Sequence, residues 1–323
     1  MNVFFTCLAR LAAVGCLLLA GCGGGKPPPP LHGATMGSTW SLQIADPVSE
    51  AGAQEIAVLI RQELQGLERE LSHWQPDSDL SRWNQNPGTA WQAVPASLAE
   101  TVALARRISQ ETDGALDVTV APLVALWGFT RHTPLAELPT ETEIREALSH
   151  VGWDKLEVQT QPPQLKKHQP QVQVNVAAVA EGYAMDRLRT LLQGRGLKNF
   201  LLEVGGEVLA QGHSPDGQPW RVGVQAPDGE RGESLETLPL TDTCIATSGS
   251  YRHRFEKEGR SYSHLLDPRT GRPIVHRLVS VSVIHPSCSL ADGYATALMV
   301  LGPERGRAVA QRLGLRVIWL EEP

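Results

Sequence analysis

The 323-residue chain has no run of Lys and Arg with interleaved aromatics, and its net charge is −6. That excludes the electrostatic footprint of a nucleic-acid binder. There is no G-x-x-x-x-G-K-[ST] phosphate loop, no G-x-G-x-x-G after a strand, no H-E-x-x-H and no G-x-S-x-G elbow. Four common chemistries are set aside with them. No self-similarity with a period of about 20–50 residues marks a solenoid or propeller. Beyond the N-terminus no stretch approaches the roughly 20 apolar residues that a membrane-spanning helix needs. Cysteine is scarce: of five, Cys7, Cys16 and Cys22 lie at the N-terminus, leaving Cys244 and Cys288. With scattered His, that pair does not suggest structural zinc. The two can pair in an oxidising compartment or lie buried as small apolar thiols, which the sequence favours.

The N-terminus is the most specific local signal. Arg10 is followed by the apolar run Leu11–Ala20 and then by Leu19-Ala20-Gly21-Cys22. A short apolar core after a basic residue reads as a secretory signal. Small residues before a cysteine fit signal cleavage followed by lipidation of the thiol. Residues 1–21 are therefore expected to be a signal peptide, with Cys22 the lipidated first residue of the mature chain. The protein is then expected on the periplasmic side of a bacterial membrane. Gly23, in place of an Asp, points to the outer membrane. A Gly- and Pro-rich tether occupies residues 22–32, and one folded domain is expected over 33–323.

Helical spacing marks Gln54–Leu71, Ala96–Glu111 and Ala178–Gln193. Thr140 with Glu143 reads as a capping box. Two more helices are expected, one over Leu290–Gly302 and one after Pro303. Strand signals cover Thr39–Ile44, Leu156–Gln159, Val172–Val176, Phe200–Val204, Glu207–Gln211, Trp220–Val224, Cys244–Thr247, Arg252–Glu256, Val279–Ile284 and Arg316–Leu320. The Pro215-Asp216-Gly217 turn suggests that Glu207–Val224 is a hairpin. Without a steady βαβ rhythm the fold class is α+β: a single domain with two sub-lobes, its mixed, largely antiparallel sheets flanked by helices.

Polar clusters in apolar context carry the chemistry. Thr35-Met36-Gly37-Ser38-Thr39 precedes a strand; it is either a plain turn, the favoured reading, or a backbone cradle for a ligand. Gly114-Ala115-Leu116-Asp117-Val118-Thr119 contains an Asp among apolar residues, either a buried cap or a ligand-binding carboxylate. Asn175 to Asp186 runs from a strand into a helix, whose first N–H groups suit anions. Glu203-Val204-Gly205-Gly206-Glu207 puts a Gly pair between strands. Ala246–Arg252 precedes Ser263-His264-Leu265-Leu266-Asp267-Pro268-Arg269-Thr270-Gly271. In Leu290-Ala291-Asp292-Gly293-Tyr294-Ala295-Thr296, Asp292 and Thr296 share a helix face. A carboxylate, a hydroxyl and a nearby carbonyl form a sparse hard-oxygen set suited to Mg²⁺. The alternative is an Asp that merely complements the helix dipole.

Together, and in this order, the six clusters resemble the ApbE family, the FAD:protein FMN transferases, from about Gly33 to the C-terminus. The resemblance implies an ApbE-like, T-fold-related domain. It implies Mg²⁺-dependent cleavage of FAD, with FMN passed to a Thr or Ser hydroxyl of an acceptor protein and AMP released. Subunits of membrane redox complexes are the acceptors it suggests. By the same resemblance Asp292, Thr296 and the backbone of Ala178 hold the metal. Met36, Trp74, Ala115, Leu116, Asp117, Asn175, Glu181 and Leu266 contact FAD, and His264 is the general base. Three positions depart from the family pattern: Asn175 stands where Asp is common, Glu181 where many members have Lys, and Ser250 where Asp is frequent, the last without a functional reading. The alternative function is a lipoprotein that only binds FAD or hydrolyses it to FMN and AMP.

Overall fold

The computed structural model describes residues 28–130, 137–225, 234–251, 254–257 and 259–322. The leader, Cys22 and the start of the tether lie outside the described residues. Ordered structure begins with a strand at Leu31, two residues before the expected Gly33.

The centre is a seven-stranded sheet in which every neighbour pair is antiparallel. Its strands are β1 (Leu31–Thr35), β2 (Ser38–Ile44), β3 (Phe200–Val204), β4 (Glu207–Gln211), β5 (Thr243–Gly249), β6 (Leu278–His285) and β7 (Arg316–Glu321). They lie side by side in chain order. Alternation along them sorts the two faces. Phe200, Leu202, Val204, Val281 and Val283 belong to the main core under the helices. Leu201, Val208, Ala210, Ile245 and Ile284 face a second cluster made with the hairpin Trp220–Gln225/Ser234–Leu240.

Among the described residues seven α-helices complete the fold: α1 (Glu50–Leu71), α2 (Asp79–Gln85), α3 (Ala96–Glu111), α4 (Ala121–Leu126), α5 (Glu141–Ser149), α6 (Ala177–Gly194) and α7 (Cys288–Leu313). In α1 the expected apolar stripe is buried at Ile56, Ile60, Leu64, Leu67 and Leu71. This helix starts four residues before the expected Gln54, because Ser49 caps it by accepting from the Gly52 N–H. α3 has the bounds read from the sequence, and the Thr140–Glu143 capping box is formed. The two helices expected after Leu290 are one element with a break: Gly302 is non-helical and Pro303 follows it.

A smaller lobe holds a three-stranded sheet of Gln92–Ala93, Pro163–Lys167 and Leu156–Thr160. A third apolar cluster joins α4 and α5 to Leu266, Phe255 and Tyr262.

Three expectations are corrected. Val172–Val176 is not a strand. Its valines 172, 174 and 176 are fully buried and alternate with more open residues, which mimics a strand pattern. No strand pairs with it, and the Asn84 side-chain amide bonds the Val174 N–H and C=O instead. Glu207–Val224 is not a hairpin. The turn forms, with Gly217 N–H donating to Ser214 O, but β4 pairs with β3 and β5 while Trp220–Gln225 pairs with Ser234–Leu240. Cys244 and Cys288 are joined in a disulfide, not left as two thiols. The strand expected at Arg252–Glu256 is seen as Arg254–Lys257, and Arg252 lies outside the described residues.

Candidate active site

Two tight turns define one end of the sheet. Met36-Gly37 joins β1 to β2, and Gly205-Gly206 joins β3 to β4, each a two-residue loop with both residues at positive φ. That is the type I′ geometry that matches strand twist. The Thr35–Thr39 cluster therefore forms a tight turn. A methionine is uncommon at positive φ, so the turn holds Met36 in a constrained pose, packed against the main core. Trp40 pairs with Val204 across β2 and β3, and Gly205 N–H donates to Thr39 O, so the two turns are neighbours. The β4–β5 register brings Ala246–Gly249 to the same end. There Thr247 and Ser282 hydroxyls lie 2.7 Å apart.

Helices α6 and α7 meet this end. Asp186 of α6 caps α7, accepting from the N–H groups of Cys288 and Ser289 at 3.0 Å each and from both flanking serine hydroxyls. One turn earlier on α6, Gly182 N–H donates to Asp292 Oδ2 at 3.0 Å. A further turn back, Val179 faces Gly293. The two helices therefore run antiparallel along this contact. Gly182 allows this approach: a Cβ there would lie 2.5 Å from Cys288 O and 2.8 Å from Asp292 Cβ. The Glu181 carboxyl lies against Gly205, in space that a Cβ on that residue would fill.

Asp292 is buried. Burial pushes its carboxyl well above the ordinary carboxylate range, the charge of Glu181 pushes the same way, and the Gly182 N–H opposes both. Between Ala291 and Val300 every residue except Thr296 is buried. No group of three His, Cys, Asp or Glu side chains able to hold a metal occurs among the described residues. A protein-only metal cage is thus absent among them. The donors that are present, one buried carboxylate beside a second acid, a hydroxyl and a helix-start carbonyl, fit a cation that keeps water and phosphate as its other ligands.

The expected flavin contacts fall into groups. Met36 lies in the first turn, and Glu181 lies against Gly205 of the second. Asn175 lies at the entry to α6, its Oδ1 accepting from Ala177 N–H at 2.9 Å and its own N–H donating to Val118 O at 2.7 Å. That bond links it to Ala115, Leu116 and Asp117. Asp117 is a buried cap: Oδ1 accepts from Thr119 N–H and hydroxyl, Oδ2 from Trp153 N–H, and burial raises its pKa. Both oxygens thus accept hydrogen bonds within the fold. Ala115, Leu116 and Leu266 are buried. His264 stands edge-on to Phe129, with ring centroids 6.4 Å apart, at the end of an aromatic ladder of Phe129, Phe255, Tyr262 and Trp127. Trp74 is 56% exposed and its ring meets that of His73 at a tilt.

Sequence reading passed over Asp186 as a functional residue, although it closes the third cluster. The signal was there: Ser287 and Ser289 flank the start of α7 and invite an anionic cap.

A sheet end with two tight turns, a buried acid and an open helix start defines a ligand-binding α+β enzyme fold. The sequence matches the family model described as "ApbE family" over residues 36–319. It is 38% identical over 312 residues to the FAD:protein FMN transferase of Vibrio cholerae serotype O1, covering 96% of this chain and 92% of that one. It is 37% identical to that of Escherichia coli K12, covering 98% and 92%. Among solved structures it is similar to the flavin transferase ApbE from Vibrio cholerae, with a TM-score of 0.82 and 36% identity over 91% of this chain and 94% of that one. The apo form of Pseudomonas stutzeri flavinyl transferase ApbE gives 0.81 and 34%, covering 91% of each. The chain belongs to the ApbE family.

Proposed function

We propose that this protein is an FAD:protein FMN transferase. The observation that carries the reading is the antiparallel α6–α7 contact, which sets the buried Asp292 carboxyl within reach of Glu181, itself lying against Gly205 of the turn. The acceptor Thr or Ser oxygen forms a bond to the FMN phosphorus, the bond from that phosphorus to the AMP oxygen breaks, and AMP leaves. His264 accepts the proton of the attacking hydroxyl, a task for which a neutral imidazole is suited. The Asp292 carboxylate, the Thr296 hydroxyl and the Ala178 carbonyl would hold Mg²⁺. When bound, the ion neutralises charge on the pyrophosphate. Asn175 and Met36 line the approach to the flavin, and Glu181 sits beside the metal position. Cys22 carries the lipid, so the domain works at the periplasmic face of a membrane. Its acceptors are flavin-carrying subunits of membrane redox complexes.

The test uses purified protein with FAD, Mg²⁺ and an acceptor domain carrying a Thr flavinylation motif. The acceptor band should become fluorescent in a denaturing gel, with AMP released in equal amount. Free FMN and AMP with a dark acceptor would instead make the protein an FAD hydrolase.

A further inference from the structure

We propose that Lys167 and Asn84 are positioning residues for the flavin and metal site, holding the segment that delivers Asn175 and Ala178 to it. The proposal rests on the flavin-transfer reading above.

The run from Pro170 to Val176 enters α6 without a partner strand, so its backbone polar groups need other partners. Asn84, half-buried at the end of α2, supplies one pair: its Nδ2 donates to Val174 O at 2.8 Å and its Oδ1 accepts from Val174 N–H at 2.7 Å. The side chain thus imitates a neighbouring strand for one residue. Lys167 supplies the other contact. It is fully buried, and its Nζ lies 3.3 Å from Trp83 O, 3.4 Å from Asn84 O, 3.5 Å from Pro170 O and 3.3 Å from Val172 O. It also sits 4.5 Å from the centre of the Trp83 ring, in cation–π range. The ammonium therefore bridges α2 to the segment.

Burial lowers the Lys167 pKa, and no charged neighbour contributes. A buried ammonium without a counter-charge is costly, and an apolar side chain would fill the same space more cheaply. What the ammonium adds is directional hold on two carbonyls of the approach segment. Two residues past Val172 the Asn84 clamp acts, and the next residue is Asn175, whose N–H is fixed by Val118 O. The first turn of α6 follows. The Asn175 Oδ1 accepts from the Ala177 N–H at its start, so the clamp upstream, by holding the segment that ends in Asn175, sets where this helix start points. The small lobe thereby aligns the site in the large one.

The experiment compares full-length wild type with Asn84→Ala, Asn84→Asp and Lys167→Met. FAD affinity is read by quenching of flavin fluorescence, and the Mg²⁺ requirement by transfer kinetics below each variant's melting temperature. Misplacement of binding groups by about 1 Å costs up to roughly 100-fold. Asn84→Ala and Lys167→Met should therefore raise the FAD Kd and the Mg²⁺ half-saturation at least about 5-fold, with kcat at saturation within about 2-fold. Asn84→Asp keeps the acceptor for Val174 N–H and should recover part of the loss. Variants that melt earlier but keep wild-type FAD affinity and Mg²⁺ requirement would overturn the proposal, since the clamp would then only stabilise. If Lys167→Met does not fold, Asn84→Ala decides alone, because that side chain is only half-buried. Wild type that quenches no flavin would instead remove the flavin reading, and this one with it.

Discussion

At the scale of single residues the same chemistry serves structure at one position and function at another. Asp117 and Asp292 are both buried acids with raised pKa values. Asp117 spends both oxygens on N–H and O–H donors, whereas the hydrogen bond to Asp292 reaches one oxygen only. That contrast, not burial, separates a cap from a candidate ligand. His264→Ala should keep FAD binding and lose transfer by about 100-fold or more, the usual range for a general base. Rates measured with saturating FAD and acceptor would check it, and an unchanged rate would remove His264 from the mechanism. Tyr183 gives a pH prediction. Burial and its hydrogen bond to Glu100 push its pKa up to about 12. Below about pH 10 the phenol is protonated in both folded and unfolded chains, and its contribution is full. Between about 10 and 12 only the folded chain keeps the proton, so stability falls as pH rises, by about 2–3 kcal/mol in all. Urea midpoints for wild type and Tyr183→Phe should converge across this window.

At the scale of elements, the α6–α7 contact matters most. A Gly182→Ala change would direct its Cβ at the Cys288 carbonyl, a backbone atom that cannot rotate aside. Overpacking of this kind costs about 1–3 kcal/mol. The two helices should shift apart, lowering the denaturation midpoint and raising the Mg²⁺ needed for half-maximal transfer. An alanine variant with wild-type stability and metal requirement would mean that the close approach is not needed. Elements were legible wherever the signal was local. The Thr140–Glu143 capping box of α5 and the 3.6-residue stripe of α1 were read from the sequence, whereas the Ser49 and Ser287 caps, which start α1 and α7 earlier than expected, were not. The short α2 and α4 are too brief to develop a period, and the Ser78 hydroxyl that caps α2 was not enough on its own to mark it.

At the scale of the molecule, the Cys244–Cys288 bond ties β5 to the start of α7, four residues before Asp292. The cysteines are 44 residues apart, and closing a loop of that size in the unfolded chain is worth about 2–4 kcal/mol. The double variant Cys244→Ala/Cys288→Ala should lose that amount in equilibrium denaturation, and added reductant should then change wild type but not the variant. Equal stability of the two under oxidising conditions would mean the bond is not made. Reach across the fold also links the small lobe to the site through Lys167 and Asn84, neither of which any local motif would single out.

The sequence by itself determined the helix bounds to within a few residues, most strands of the central sheet, the α+β class and the six clusters that mark the family. Those features depend on periodicity, caps and turn chemistry, which act over a few residues. Tertiary structure decided the rest. Val172–Val176 alternates like a strand, yet a side-chain amide and an ammonium replace the missing ladder. The strands flanking Pro215-Asp216-Gly217 turn as expected but pair with different neighbours. The clusters near Met36, Gly205, Glu181 and Asp292 converge only because the sheet register and the α6–α7 packing bring them together. Hydrogen-bond and disulfide partners far apart in the chain are chosen by the packed fold, where each buried polar group must be satisfied and distant segments first meet.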